Sequence, residues 1–138
     1  MVGARLQTLK RRSDFLRARD RGRKWAAPGL VLQARRRGDA EAGPKVGHTR
    51  VGYTASRRVG GAVQRNRAKR RLRAAADRVL GARAYAAWDY VLIARKATLD
   101  RPFALLVKDL ETALRKVAAH RRVGAGEEAG EEEGKRTA

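Results

Sequence analysis

The sequence predicts a small single-domain α+β sandwich in the order α-β-β-α-β-α, its helices packed on a mainly antiparallel sheet, and three observations lead there. Apolar residues recur at three- and four-residue steps across 62–80 and 103–117. Three shorter runs, 30–35, 49–56 and 89–95, carry the two-residue alternation or the unbroken apolar content of strands. Glycine or proline stands between each run and the next. A chain of 138 residues suits one domain. That domain is assigned to residues 1–123, and 124–138 to an appended tail.

Taken in order, Ser13 reads as the N-cap of a helix of about two turns. Asp14 suits the positive helix start, Phe15, Leu16 and Ala18 follow, and Gly22 ends it. After Pro28, Leu30, Leu32 and Ala34 fall on one face of a strand. Residues 36–47 are broken by glycine and proline and form a loop. In 49–56, Val51, Tyr53 and Ala55 alternate, so the first two strands are expected to pair as a hairpin with a long loop. Over 62–80 a helix gathers Ala68, Leu72, Ala75, Ala76 and Val79 on one side. The run Asp89-Tyr90-Val91-Leu92-Ile93-Ala94-Arg95 predicts a strand covered on both faces, inside the sheet. Asp100 and Pro102 start a last helix with Phe103, Leu106, Leu110, Ala113, Leu114 and Val117 inward. Gly124–Ala138 holds five glutamates and no large apolar side chain, the composition of a disordered tail.

Charge dominates the composition. Lys and Arg number 34 against 14 Asp and Glu, a net charge of +20, and residues 1–123 alone carry 32 bases against nine acids, or +23. The expected partner is a polyanion. No apolar stretch is long enough to span a membrane, and the first residues lack the apolar core of a secretory signal. The absence of cysteine excludes disulfides, thiolate metal sites and cysteine nucleophiles, and fits a reducing, cytoplasmic setting. His48 and His120 have no spacing for a shared metal or a triad. The nine acids of the body are scattered, and Asp109 and Glu111 point to different faces of one helix. A hydrolytic metal centre made of protein is not expected, and no catalytic residue is assigned.

The densest charge lies at the start of the 62–80 helix, where Arg65 to Arg73 holds six cations in nine residues. Asn66, Arg67, Lys69, Arg70, Arg71 and Arg73 spread over the side away from Leu72, so guanidinium groups face outward while the apolar stripe holds the helix. Gly60 and Gly61 permit close approach to the first-turn amides. Arg65 falls near the apolar side and is expected at the helix end, reaching past the sheet edge. Arginine rather than lysine favours structured nucleic acid over a membrane surface, because its planar fork grips phosphate with two bonds. The bland alternative is a solvated charge run on an exposed helix.

The stretch from Val51 to Arg73, VGYTASRRVGGAVQRNRAKRRLR, with its Arg-Asn-Arg core at 65–67, resembles the signature of the protein subunit of bacterial ribonuclease P. The resemblance extends to Leu6–Phe15, to Gly22 and to Asp89–Lys96, and covers Leu6 to about Val117. It implies a small protein that joins a catalytic RNA, in a holoenzyme that removes the 5′ leader of precursor tRNA by magnesium-dependent hydrolysis. The RNA performs the cleavage, and Mg2+ is held mainly by the RNA subunit and substrate. The resemblance places Arg65, Asn66, Arg67, Lys69, Arg70 and Arg73 against the RNA subunit. It places Phe15, Thr54, Ser56 and Arg58, with Arg65 near the end, in a cleft for the single-stranded leader. It also implies a left-handed β-α-β crossover, against the usual hand, and a protein that is monomeric outside the holoenzyme.

Three positions depart from the family's pattern. Arg19 stands where many relatives have a second aromatic, Gln33 where the first strand often has one, and Ala76 where a bulky residue is common. Leader stacking then leans on Phe15, with the guanidinium planes of Arg19 or Arg35 standing in. For Phe15 plain core packing is an equal alternative. Trp25 lies near the cleft or fills a gap, and Tyr53 reads as core. Two further functions fit the charge: a structural RNA-binding protein of the small ribosomal kind and, less well, a DNA-compacting protein.

Overall fold

A computed structural model describes residues 6–37, 49–83 and 88–122, and the side chains of all of these except 81–83 and 119–122. The acidic tail and the 38–48 part of the loop lie outside these residues. In chain order the elements are β1 (Leu6–Thr8), α1 (Arg12–Arg21), β2 (Arg23–Ala26), β3 (Leu30–Arg36), β4 (Thr49–Thr54), α2 (Ala62–Arg83), β5 (Trp88–Ala94), a 3-10 turn (Lys96–Leu99) and α3 (Phe103–Arg122). The class is α+β, with three helices on one sheet of order β1-β4-β5-β3-β2.

The expected hairpin between the 30–35 and 49–56 runs does not form. β5 lies between them, antiparallel to β3 and parallel to β4. Burial decides this arrangement: six of the seven residues of β5 are buried, and only an inner position covers both faces. The hairpin partner of β3 is β2, through a turn in which the Ala27 N–H donates to the Leu30 carbonyl at 2.8 Å. β1 adds a parallel edge to β4. The four pairings are two parallel and two antiparallel, so the sheet is mixed where an antiparallel majority was expected.

Ser13 is not the cap of α1. The helix begins at Arg12, Arg11 occupies the cap position without a side-chain bond, and the Arg11 carbonyl accepts from the N–H groups of Asp14 and Phe15. At ten residues α1 is nearly three turns long. β4 stops at Thr54, because the chain turns at Ser56–Gly60, where the Val59 N–H donates to the Ser56 carbonyl at 3.0 Å.

Alternation along each strand gives the sheet two unlike faces. The first is apolar: Leu30, Leu32, Ala34, Val51, Tyr90, Leu92 and Ala94 are buried on it. α2 covers it with Ala68, Leu72, Ala75, Ala76 and Val79, and α3 with Leu106, Leu110, Ala113, Leu114 and Val117, as the periodicity predicts. Trp25 joins this side, half-buried, with the Lys116 ammonium 5.2 Å from its ring centroid. Among the described residues the second face receives only α1, whose small cluster is Leu9, Ala18 and Val91 with Phe15 and Ile93 half-buried beside it.

Candidate nucleic-acid interface

The start of α2 is shaped by two glycines. Gly60 has φ +146°, a conformation that side chains disfavour, and the Gly61 N–H donates to Gln64 Oε1 at 3.0 Å, the reach-back half of a capping box. Beyond this start, Ala68 and Leu72 are fully buried, which fixes the rotation of the helix. Asn66, Arg67, Arg70 and Arg73 are therefore exposed, and Lys69 is half-buried.

Three arginines of this segment carry a further task. Arg65 is half-buried, and its Nη1 donates to the Gly60 carbonyl at 3.0 Å. It sits at the helix start as expected, but folds back over the turn rather than reaching past the sheet edge. Arg71 Nη2 donates to the carbonyl of Arg101, tying α2 to the chain just before α3. The Arg73 guanidinium lies 5.0 Å from the centroid of the Tyr53 ring, a cation–π contact at the rim of the apolar face. Burial pushes the Tyr53 hydroxyl up to about 12, with the Asp77 charge adding to the shift and the Arg73 charge opposing it. Tyr53 belongs to the core edge, as read from its alternation.

On the second face the Phe15 ring lies against Gly52, where a Cβ would come within 2.5 Å of Cε1 and Cζ. Phe15 is half-buried, packed on one side and open on the other. Beyond it a row of β-sheet positions stays half-buried: Val31, Ile93 and Thr54, neighbours by register. These form a partly apolar floor beside the Phe15 ring. Phe15 and Thr54 thus share this face, while Ser56 and Arg58 are exposed on the turn that leads from β4 into α2. The Arg58 N–H donates to Ser56 Oγ at 3.3 Å. The turn runs on to Arg65, so the five residues follow one path from the half-covered face to the basic helix.

Val31 and Ile93 escaped the sequence reading because the floor depends on strand register, which no single run shows. Of the two arginines considered as stacking planes, Arg19 is exposed on α1 and bonds Asp20 through Nε at 2.9 Å. Arg35 is buried and lies 3.6 Å from Asp89, so it offers no open plane. Gln33 is also buried.

The other end of this face is closed by charge. Asp89, fully buried, accepts from Arg37 Nη1 at 2.6 Å and from Arg50 Nε and Nη2 at 2.8 and 2.7 Å. Arg50 Nη1 lies 3.4 Å from Asp14 Oδ2, and Asp14 Oδ1 accepts from Arg17 at 3.1 Å. Its bonds to Asp89 raise the Arg50 pKa above its ordinary value. In the sequence Arg37, Arg50 and Asp89 are single charges in or beside separate strands, and the register gathers them. Among the described residues, no three His, Cys, Asp or Glu side chains group to hold a metal, and no helix is long and apolar enough to cross a membrane.

A mixed sheet with an arginine-studded helix over one face and a second face half-covered among the described residues defines a basic α+β protein whose exposed arginines suit a polyanion. Comparison with known proteins narrows the class. Residues 4–118 match the sequence model of the family described as Ribonuclease P. A ribonuclease P protein component from Paramagnetospirillum magneticum is 49% identical over 126 residues, 91% of this chain and 93% of the relative. A mutant RNase P protein from Staphylococcus aureus shares the fold at TM-score 0.64 and 27% identity, covering 78% of this chain and 85% of that one. The RNase P protein of Thermotoga maritima is alike in fold at TM-score 0.63 and 24% identity, over 80% of this chain and 97% of that one. The chain belongs to the ribonuclease P protein family, the protein subunits of an endoribonuclease that processes the 5′ end of tRNA.

Proposed function

We propose that this protein binds the ribonuclease P RNA through the outer side of α2 and takes the 5′ leader of precursor tRNA into the cleft on the opposite face of the sheet. Arg67, Arg70 and Asn66 supply donors to RNA phosphates, with Lys69 beside them. Arg65 and Arg73 join them, held by Gly60 and Tyr53. In the cleft, Phe15 stacks a leader base over the Val31–Ile93–Thr54 floor, and Ser56 and Arg58 meet the backbone where the strand leaves toward Arg65. Stacking on one ring and an aliphatic floor tolerates varied leader sequence. The observation that carries this reading is the exposure of Asn66, Arg67, Arg70 and Arg73 on a helix whose other side is fully buried, joined by a single turn to the half-open cleft.

Bond breaking is left to the RNA. Of the described carboxylates, Asp14, Asp20, Asp89 and Asp109 are each engaged by arginine, so none of these four is an open ligand for magnesium. RNA phosphates supply the hard oxygen ligands that the ion prefers, and the protein's cations tighten substrate beside it. The protein acts as a cytoplasmic monomer until it joins its RNA. Reconstitution tests the whole reading: protein plus cognate RNA is expected to process precursor tRNA at low magnesium, and protein alone to leave it intact. Binding to ribosomal RNA with no gain in processing would replace this function with a structural one.

A further inference from the structure

Arg50 reaches in two directions. Its Nε and Nη2 grip both oxygens of Asp89 on β5, a bidentate pair, while Nη1 extends to Asp14 on α1. Arg37 holds Asp89 from another side, so the fork of Arg50 has a fixed base. We propose that Arg50 is a positioning residue for the leader cleft: anchored on Asp89, it fixes the first turn of α1, and with it Phe15, at a set height above β4. The proposal rests on the leader reading given above.

Three features of the molecule carry it. Asp14 and Phe15 are consecutive, so a restraint on one carboxylate restrains the neighbouring ring. Among the described residues the start of α1 lacks a side-chain cap and rests on the small cluster of Leu9, Ala18 and Val91. Arg50 and Gly52 project from the same face of β4 two residues apart, so the clamp stands about 7 Å from the notch that receives the ring. A buried ion-pair network is a poor route to stability alone, because desolvating charges costs about as much as their attraction returns. Geometric definition of α1 is what this one supplies beyond an apolar contact.

Asp14→Asn tests the clamp while leaving Arg50 on Asp89, and Arg50→Lys removes the fork itself. The chain has two phenylalanines, Phe15 and Phe103, so uniform labelling with fluorophenylalanine gives two resonances, one on each side of the sheet. In Asp14→Asn the Phe15 resonance is expected to shift or broaden while that of Phe103 stays. The reconstituted holoenzyme is expected to lose about fivefold of its preference for precursor over mature tRNA, with affinity for the RNA subunit kept. General destabilisation would disturb both resonances and lower the active fraction without changing the preference. Two unmoved resonances with an intact preference in Asp14→Asn would overturn the proposal, even if Arg50→Lys does not fold. Phe15→Ala separates the ideas. Preference lost there but kept in Asp14→Asn overturns the clamp alone, whereas preference kept in Phe15→Ala overturns the leader reading and the clamp's part in it.

Discussion

The two faces of the sheet solve different problems with the same strands. On the face under α2 and α3, the positions offered by β3 and β5 are leucine, alanine, tyrosine and tryptophan, closed by two long helices. On the other face the same strands offer Asp89, Arg35, Gln33, Val91, Val31 and Ile93, and one short helix covers only part of them. The first arrangement is redundant, since many side chains share the burial and together set the helix positions. The second has few contacts, each directional. It has a charged end that touches α1 at Asp14 and a half-covered end at Phe15 and Ile93.

The sharpest way to break this contrast is Asp89→Asn. Removing the shared carboxylate leaves Arg35, Arg37 and Arg50 short of a counter-charge in the interior, which is expected to cost about 3–5 kcal/mol. Leu92→Ala, the neighbouring deletion on the apolar face, is expected to cost about 2–5 kcal/mol. Urea unfolding of the two variants compares them directly. A cost under about 1 kcal/mol for Asp89→Asn, with Leu92→Ala as expected, would show that the charged end holds nothing.

A smaller effect is expected at Gly52. Gly52→Ala places a methyl group 2.5 Å from the Phe15 ring, so the ring must move outward, at about 1–3 kcal/mol. Unlike Leu92→Ala, it is expected to change the cleft as well as stability. Precursor preference then falls at a temperature where the variant is folded. Loss of stability with full preference would mean that the ring packs and does not stack.

On the basic side, α2 divides its arginines between surface and scaffold. Arg67→Ala with Arg70→Ala is expected to leave stability within about 0.5 kcal/mol, because both side chains are exposed. The pair is expected to lower the log–log salt slope of RNA-subunit binding by about 1.4–1.8, at 0.7–0.9 per lost phosphate contact. Arg71→Ala, which frees the Arg101 carbonyl, is expected to reduce stability and leave the slope alone. An equal slope change for all three would erase the division.

Much of the apolar face was legible in the sequence, and most of the other was not. Ala68, Leu72, Ala75, Ala76 and Val79 declare a buried stripe by spacing alone, and the 89–95 run declares an inner strand by being apolar on both faces. β1 and β2, three and four residues long, are too short and too polar for alternation to show. The false hairpin came from weighing chain proximity above the burial that β5 requires. The sequence puts Asp89 in a strand covered on both faces and offers Arg35 as a stacking plane, and only the register brings the two together as an ion pair. The exposed side of α2 was readable, but the ties of Arg65 to Gly60 and of Arg71 to Arg101 depend on how the helix start and its neighbour are folded.

The smallest expected effect lies where the apolar face meets the basic helix. Burial raises the Tyr53 hydroxyl to about 12, from an ordinary value of 10.0, so the folded protein holds this proton more tightly than the unfolded chain. The resulting stability is fully present below the unfolded pKa and is lost as pH rises through the interval between the two values. Tyr53→Phe is therefore expected to unfold like the parent near neutral pH but to show a shallower fall in stability at strongly alkaline pH, followed by denaturant titration. Arg73→Ala acts in the opposite direction on the same group. The cation over the ring favours the phenolate, so its removal is expected to move the Tyr53 titration higher still, read from the ultraviolet absorbance difference against Tyr53→Phe. An unchanged titration would place the Arg73 charge in solvent rather than on the ring, and would group Arg73 with the freely exposed Arg67 and Arg70.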